Sequence, residues 1–168
     1  MAAAFTDKDL KSTTGKLIID GETIFKNNNP KLSGGCIIGN NSIKIIDKTN
    51  NIDSLGKSVL NNHESYFQQA LLVYNNKSIV WNLPNAELKI KRRALIEFNN
   101  QFSICESDGG LDIKRFQVAL INIGVKNAIY LDMGSWSEGW YKSVDGKQIS
   151  IGGNNASKSQ INWLYLSE

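Results

Sequence analysis

Gln101-Phe102-Ser103-Ile104-Cys105-Glu106, then Asp112-Ile113-Lys114-Arg115-Phe116-Gln117-Val118-Ala119-Leu120 running on to Ile123-Gly124, then Ala128-Ile129-Tyr130-Leu131: the reading of residues 101–131 decides the fold. The first run is short, rich in apolar residues and preceded by the turn pair Asn99-Asn100, which marks a strand. Asp112 can cap a helix. Ile113, Phe116, Leu120 and Ile123 recur at helical spacing on one face, and Gly124 supplies the stop. Ala128–Leu131 is a second apolar strand. A strand-helix-strand unit with a right-handed crossover sets its two strands parallel, as neighbours or nearly so.

Working outward, asparagine runs punctuate short apolar segments: 27–29, 40–41, 50–51, 61–62, 75–76, 99–100 and 154–155. Asparagine tolerates left-handed backbone and makes turns, so the spacing predicts a series of short strands. The expected strands are 16–19, 36–38, 42–46, 70–74, 93–98, 101–106, 128–131 and 161–166. Asp20-Gly21 and Asp145-Gly146 are hairpin signals, and Asn99-Asn100 reads as a third. A weaker helix is expected over 54–60. The fold class is α+β: one domain over residues 1–168, built on a mixed, mostly antiparallel β-sheet with few helices and one strand-helix-strand unit at about 101–131. No internal repeat is visible.

Composition narrows the function classes. At 168 residues, 41% hydrophobic and 21% charged, the chain has the makings of a real core. Its net charge of +3 is mild, and its basic residues are scattered apart from Lys89, Lys91, Arg92 and Arg93. Nucleic-acid binders carry a denser basic footprint, so nucleic acid is not an expected partner. No apolar run approaches the length of a membrane span. The N-terminus lacks the charged and apolar parts of a signal peptide. Cys36 and Cys105 are expected as buried free thiols. His63, the single histidine, lies in the polar stretch Asn61-Asn62-His63-Glu64 and reads as a solvated loop or helix-start residue. Without a Cys/His cluster a zinc site is not expected; no metal motif is present and no cofactor is expected, while a calcium held by loop carbonyls and aspartates would leave little trace in the sequence.

The candidate site is the stretch that follows the last strand of the unit. Lys126–Leu131 delivers one carboxylate, Asp132, into Met133-Gly134-Ser135-Trp136. A charged group on a rigid strand end beside a loop is where a site is built; the alternative is a turn whose aspartate bonds nearby backbone.

The order of these features resembles the phosphodiester glycosidase family, in its bacterial branch. Arg92-Arg93-Ala94-Leu95-Ile96 is similar to the family's arginine-bearing strand. Leu111–Leu120 is similar to its helix, and Gly124–Ala128 to its approach to the final strand. Leu131-Asp132-Met133-Gly134-Ser135 stands where the family has Leu-Asp-Gly-Gly-Gly-Ser. Phe67-Gln68, Leu72–Lys77, Asn162-Trp163-Leu164 and Gly15–Gly21 resemble further family segments. The likeness touches most of the chain and is strongest from Arg92 onward. Met133 replaces the first glycine of the motif, and Ser135 takes the family's serine position only if the loop is one residue shorter. Ala2-Ala3-Ala4-Phe5 lacks the asparagine of the family's early Asn-Ala-x-Phe, so the domain is expected to be shortened at its N-terminus.

The resemblance implies cleavage of a sugar phosphodiester at the anomeric carbon, and a protein exported to the periplasm or beyond the cell. An ordinary glycosidase needs an acid to protonate an alkoxide and a second carboxylate as base or nucleophile. A phosphate monoester is already a good leaving group and gains more from a cation, for which the planar fork of arginine is suited. The expected catalytic residues are therefore Asp132 at the reacting carbon, Arg92 on the phosphate and Glu106 as a second carboxylate, beside Asp132 if the two strands pair in parallel. Arg93 stands second to Arg92, because alternation puts the two on opposite faces. Gly134, Ser135, Trp136, Glu138, Trp140, Asn162 and Gln68 are expected to bind substrate. Trp140 and Tyr141 have opposite parity, so one of them should be exposed. Two other readings compete: a non-catalytic carbohydrate- or polyanion-binding module of the cell envelope, and a structural or interaction domain.

Overall fold

A computed structural model describes residues 3–9, 11–39, 41–48, 52–132, 139–151 and 161–164. They form two five-stranded sheets, two helices and a hairpin. The first sheet has the order β2 (Glu22–Phe25), β1 (Leu17–Ile19), β5 (Ser65–Gln69), β3 (Gly34–Gly39), β4 (Ser42–Asp47). The second has the order β7 (Lys77–Ser78), β6 (Leu71–Tyr74), β10 (Asn127–Tyr130), β8 (Arg93–Phe98), β9 (Gln101–Glu106). β11 (Gly139–Lys142) and β12 (Gln148–Ile151) form the separate hairpin. The helices are α1 (Ile52–Asn61) and α2 (Ile113–Asn122). Few helices and antiparallel ladders make the fold α+β.

Alternation of side chains along each strand explains the layering. Leu17, Cys36, Ile45 and Phe67 of the first sheet meet Leu71, Leu95 and Ile129 of the second, and Leu131 just beyond β10, in one buried cluster, so the sheets face each other. The alternate residues point outward. Ile18, Ile37, Ile46 and Tyr66 pack on Val59 of α1. Leu72, Val73, Ala94, Ile96, Ala128 and Tyr130 pack on Ile113, Phe116 and Leu120 of α2. The order is helix, sheet, sheet, helix. Buried on both faces, β10 runs on from Asn127 as the apolar stretch Ala128-Ile129-Tyr130 rather than as an alternating pattern.

The strand-helix-strand unit has a specific geometry. Both β9 and β10 run antiparallel to β8, which lies between them. They are therefore parallel to each other but one strand apart. α2 is capped as expected: the Asp112 carboxylate accepts from Arg115 N at 2.8 Å, and Gly124 takes a positive φ of 87°. The hairpin asparagines do the work assigned to them. Asn99 and Asn100 have φ of 50° and 61°, and Asn75 and Asn76 have 49° and 62°, the left-handed values that tight hairpin turns require.

Some elements were not anticipated. β2, β7, β11 and β12 are short or polar, and β5 (Ser-Tyr-Phe-Gln-Gln) hides its strand character behind two buried glutamines. Residues 161–164 are not a strand, and 165–166 lie outside the described residues. His63 is exposed in the turn after α1, with φ of 54°, at a helix end rather than a helix start. Cys36 and Cys105 are both free, the first buried and the second half-buried.

Candidate functional site at the end of β10

Tyr130 closes β10 on the α2 side of the second sheet, directly across from Ala94. Arg92 lies two residues before Ala94, so its side chain takes the same face. Its Nη1 donates to the Tyr130 hydroxyl at 3.3 Å, and the guanidinium carbon lies 5.9 Å from the Tyr130 ring centre. Burial pushes the Tyr130 hydroxyl above its ordinary pKa; Arg92 opposes the rise and the Asp132 carboxylate adds to it. Asp132 and Arg92 thus act on one phenol. Phe5 and Trp81 pack on the same ring, with centres 5.6 Å and 5.3 Å away.

Asp132 is half-buried. Its Oδ2 accepts from Thr6 N at 3.2 Å, and its own N–H donates to Ala3 O at 3.4 Å. The segment it meets is pinned elsewhere. Asn162 Oδ1 accepts from Ala3 N and Ala4 N at 3.0 Å and 2.8 Å, its Nδ2 donates to Ala4 O at 3.1 Å, and Gln69 Nε2 donates to Ala3 O at 3.2 Å. Asn162 therefore reaches the neighbourhood of Asp132 through main chain.

The Arg92 guanidinium is enclosed. Besides Tyr130, Nε donates to Leu111 O at 2.9 Å, and Nη2 donates to Leu88 O at 2.5 Å and Asn85 O at 3.4 Å. Of the five N–H groups an arginine carries, four are engaged by protein. The residue holds the 85–88 turn and the start of α2 against the sheet.

Arg93 takes the opposite, inter-sheet face. Its Nε and Nη2 both bond Glu106 Oε2, at 2.9 Å and 2.5 Å, and Lys91 Nζ lies 3.6 Å from Glu106 Oε1. Arg93 is 1% exposed, and its Nη1 has no hydrogen-bond partner. A buried donor left idle costs about 1–3 kcal/mol, and more when charged. Glu106 does not neighbour Asp132. It sits directly across from Arg93, so β8 separates it from β10 by two strand spacings, roughly 9–10 Å.

Gln68 is likewise occupied. Its Oε1 accepts from Asn29 N at 2.9 Å and Lys16 N at 3.3 Å, and its Nε2 donates to Asn28 Oδ1 and Asn29 O, both at 2.9 Å. It ties an asparagine run to β5. Its neighbour Gln69 is the one that reaches the Asp132 surroundings. Trp140 and Tyr141 are both exposed, at 42% and 48%, although parity predicted one. Their hairpin is a sheet of its own. Gly134, Ser135, Trp136 and Glu138 lie outside the described residues. Sequence reasoning also missed Tyr130, Phe5 and Trp81. Tyr130 was within reach of the alternation argument, two residues before Asp132 on the same face; Phe5 and Trp81 are brought in by loops. A shallow crevice lies instead under α1, lined by Lys16, Ile46, Leu55, Gly56, Val59 and Tyr66, none of them an expected site residue.

Among the described residues, no group of three His, Cys, Asp or Glu side chains is placed to hold a metal ion, and no helix is long and apolar enough to cross a membrane. No protein-family model and no curated protein matches the sequence. The fold has a counterpart among solved structures. It is similar to the zebrafish N-acetylglucosamine-1-phosphodiester alpha-N-acetylglucosaminidase catalytic domain, solved auto-inhibited by its pro-peptide, with a TM-score of 0.63 and 15% identity. The match covers 82% of this chain and 51% of that one, so the chain spans about half the length of the protein it resembles. At that identity the likeness is one of fold.

Proposed function

We propose that the protein is a hydrolase that cleaves the glycosidic bond of a sugar phosphodiester, and that it is exported. The observation that carries this reading is that Arg92 bonds the Tyr130 hydroxyl at the C-terminal end of β10, two residues before Asp132 in the chain, in a fold similar to a phosphodiester glycosidase catalytic domain. Water attacks the anomeric carbon, the bond from that carbon to the phosphate oxygen breaks, and the electron pair leaves with the phosphate monoester. Asp132 faces the reacting carbon, where it takes the proton of the attacking water or stabilises positive charge on the sugar. Arg92, fixed behind Tyr130, supplies positive charge to the site. Glu106 acts as a partner of Arg93, not as a second carboxylate at the reacting carbon. Gly134, Ser135, Trp136 and Glu138 follow Asp132 directly in the chain, and their part in binding the sugar rests on that proximity in sequence.

The test is turnover of an alkyl diester of N-acetylglucosamine 1-phosphate, read as reducing sugar and phosphate monoester released together. Wild type is expected to turn over, and Asp132→Asn to lose about 100-fold or more. Equal rates, or none in wild type, overturn the reading. A second reading, a non-catalytic carbohydrate- or polyanion-binding module, draws support from the enclosure of Arg92 by main-chain carbonyls. Glycan-array binding without turnover favours it.

A further inference from the structure

We propose that β9 is an interaction surface for a second copy of this chain, pairing edge to edge with its own counterpart about a two-fold axis. The end strand of a sheet presents unpaired N–H and C=O groups, and folds blunt such edges with short strands, bulges or charged side chains. The two sheets end in β2, β4, β7 and β9, and three of these carry such a device. β7 has two residues, the ladder of β2 to β1 is broken by a register shift, and β4 sets the exposed Lys44 in its middle. β9 has none. Its six residues pair with β8 in unbroken register and include no lysine, arginine or proline. Its one charge, Glu106, is already matched by Arg93 and Lys91.

The backbone shows which groups are on offer. Ser107 N donates to Arg92 O at 2.9 Å, continuing the register in which Glu106 faces Arg93, while Arg93 O accepts from Leu131 N on the β10 side. The direction of main-chain groups alternates along an antiparallel strand. Gln101, Ser103 and Cys105 therefore turn theirs toward β8. Phe102, Ile104 and Glu106 turn theirs outward, where among the described residues they have no hydrogen-bond partner. An antiparallel pair centred on Ile104 sets Ile104 against Ile104, and Phe102 against Glu106 of the second copy, and satisfies all of these groups. A two-fold axis normal to the sheet keeps like faces together. Phe102 and Ile104 lie half-buried at the rim of the inter-sheet core, so the pairing covers their remaining surface with the same two residues of the second copy. Glu106 never opposes Glu106, and no like charges meet across the pair. This self-complementarity is what selects the chain's own copy as the partner.

The experiment is sedimentation equilibrium of the full chain from about 1 µM to about 1 mM, with amide exchange read at both ends of the range. Pairing of one short strand buries less than the roughly 1,200–2,000 Å² of a stable interface, so a dimer with a Kd of about 10–100 µM is expected. The amides of Phe102 and Ile104 should exchange freely in the dilute sample and slow about fivefold or more in the concentrated one. Ser103→Lys, on an exposed side chain next to the axis, should raise Kd about threefold or more. Ile104→Pro, which removes an N–H that the ladder to β8 does not use, should raise it about tenfold or more; if that variant does not fold, Ser103→Lys decides. A monomer at every concentration overturns the proposal. So does a dimer in which both amides stay open, since another surface then joins the copies, and so does a Kd equal in wild type and Ser103→Lys.

Discussion

The two sheets bury polar side chains in different ways. In the first, Gln68 meets its four hydrogen-bonding obligations with the 28–29 loop and Lys16, and its neighbour across the ladder is Gly35. In the second, Arg92, Arg93 and Asn127 are buried, and Arg92, Arg93 and Asp132 bring charge to the strand ends around β10. The first sheet is closed with neutral amides that cost little when satisfied. The second carries charge, which is expensive to bury without a purpose. Under the proposed function, the first sheet serves as support and the second carries the chemistry.

That assignment can be broken, the largest expected effect coming first. Asp132→Asn should reduce kcat by about 10²–10⁴-fold while the melting temperature stays near wild type, since the amide oxygen can still accept from Thr6 N; parallel loss of fold and rate means that Asp132 is only a turn. Arg92→Met should cost about 3 kcal/mol in chemical denaturation, because it strips a charged donor from three main-chain carbonyls. A loss under 1 kcal/mol removes the claim that this residue holds the 85–88 turn. Gln68→Leu should cost about 2 kcal/mol and leave kcat of the folded fraction unchanged, as expected of a support residue. A selective fall in kcat erases the contrast between the sheets. The smallest effect concerns pH. Burial acts to raise Glu97, but hydrogen bonds from Lys126 at 2.8 Å and Asn127 at 2.5 Å outweigh it and hold the carboxyl below its ordinary value. A depressed folded pKa contributes stability above the unfolded value of about 4.3 that is lost as pH falls through the folded one. Glu97→Gln should therefore flatten the acid decline of the melting temperature and leave the neutral region within about 1 kcal/mol.

The fold was legible where local chemistry is unambiguous. Asp112 and Gly124 bracket α2, the Asn99-Asn100 pair makes its turn, and both flanking strands begin and end where the apolar pattern does. β5 was not legible, because Gln68 and Gln69 look solvent-facing until the loops that satisfy them are known. The arrangement of two facing sheets was also hidden, since alternation tells which residues share a face but not what covers it. At the site, alternation separated Arg92 from Arg93 and this separation holds. The enclosure of one and the idle amino group of the other depend on residues 85, 88, 106 and 111, whose approach no spacing rule foretells. Glu106 was set beside Asp132 on the condition of parallel pairing; the intervening β8 removes that condition.

One backbone detail reaches the whole molecule. The chain passes from β5 to β6 through Ala70 alone, and Ala70 O accepts from Tyr130 N at 2.9 Å while Leu71 N donates to Ser33 Oγ at 2.8 Å. Residues 65–74 are thus a shared beam: β5 is the central strand of the first layer, and β6 is paired with β10, the central strand of the second. Neither layer can melt while the other stays intact, so slow amide exchange should be lost in both at a common free energy, as one cooperative unit.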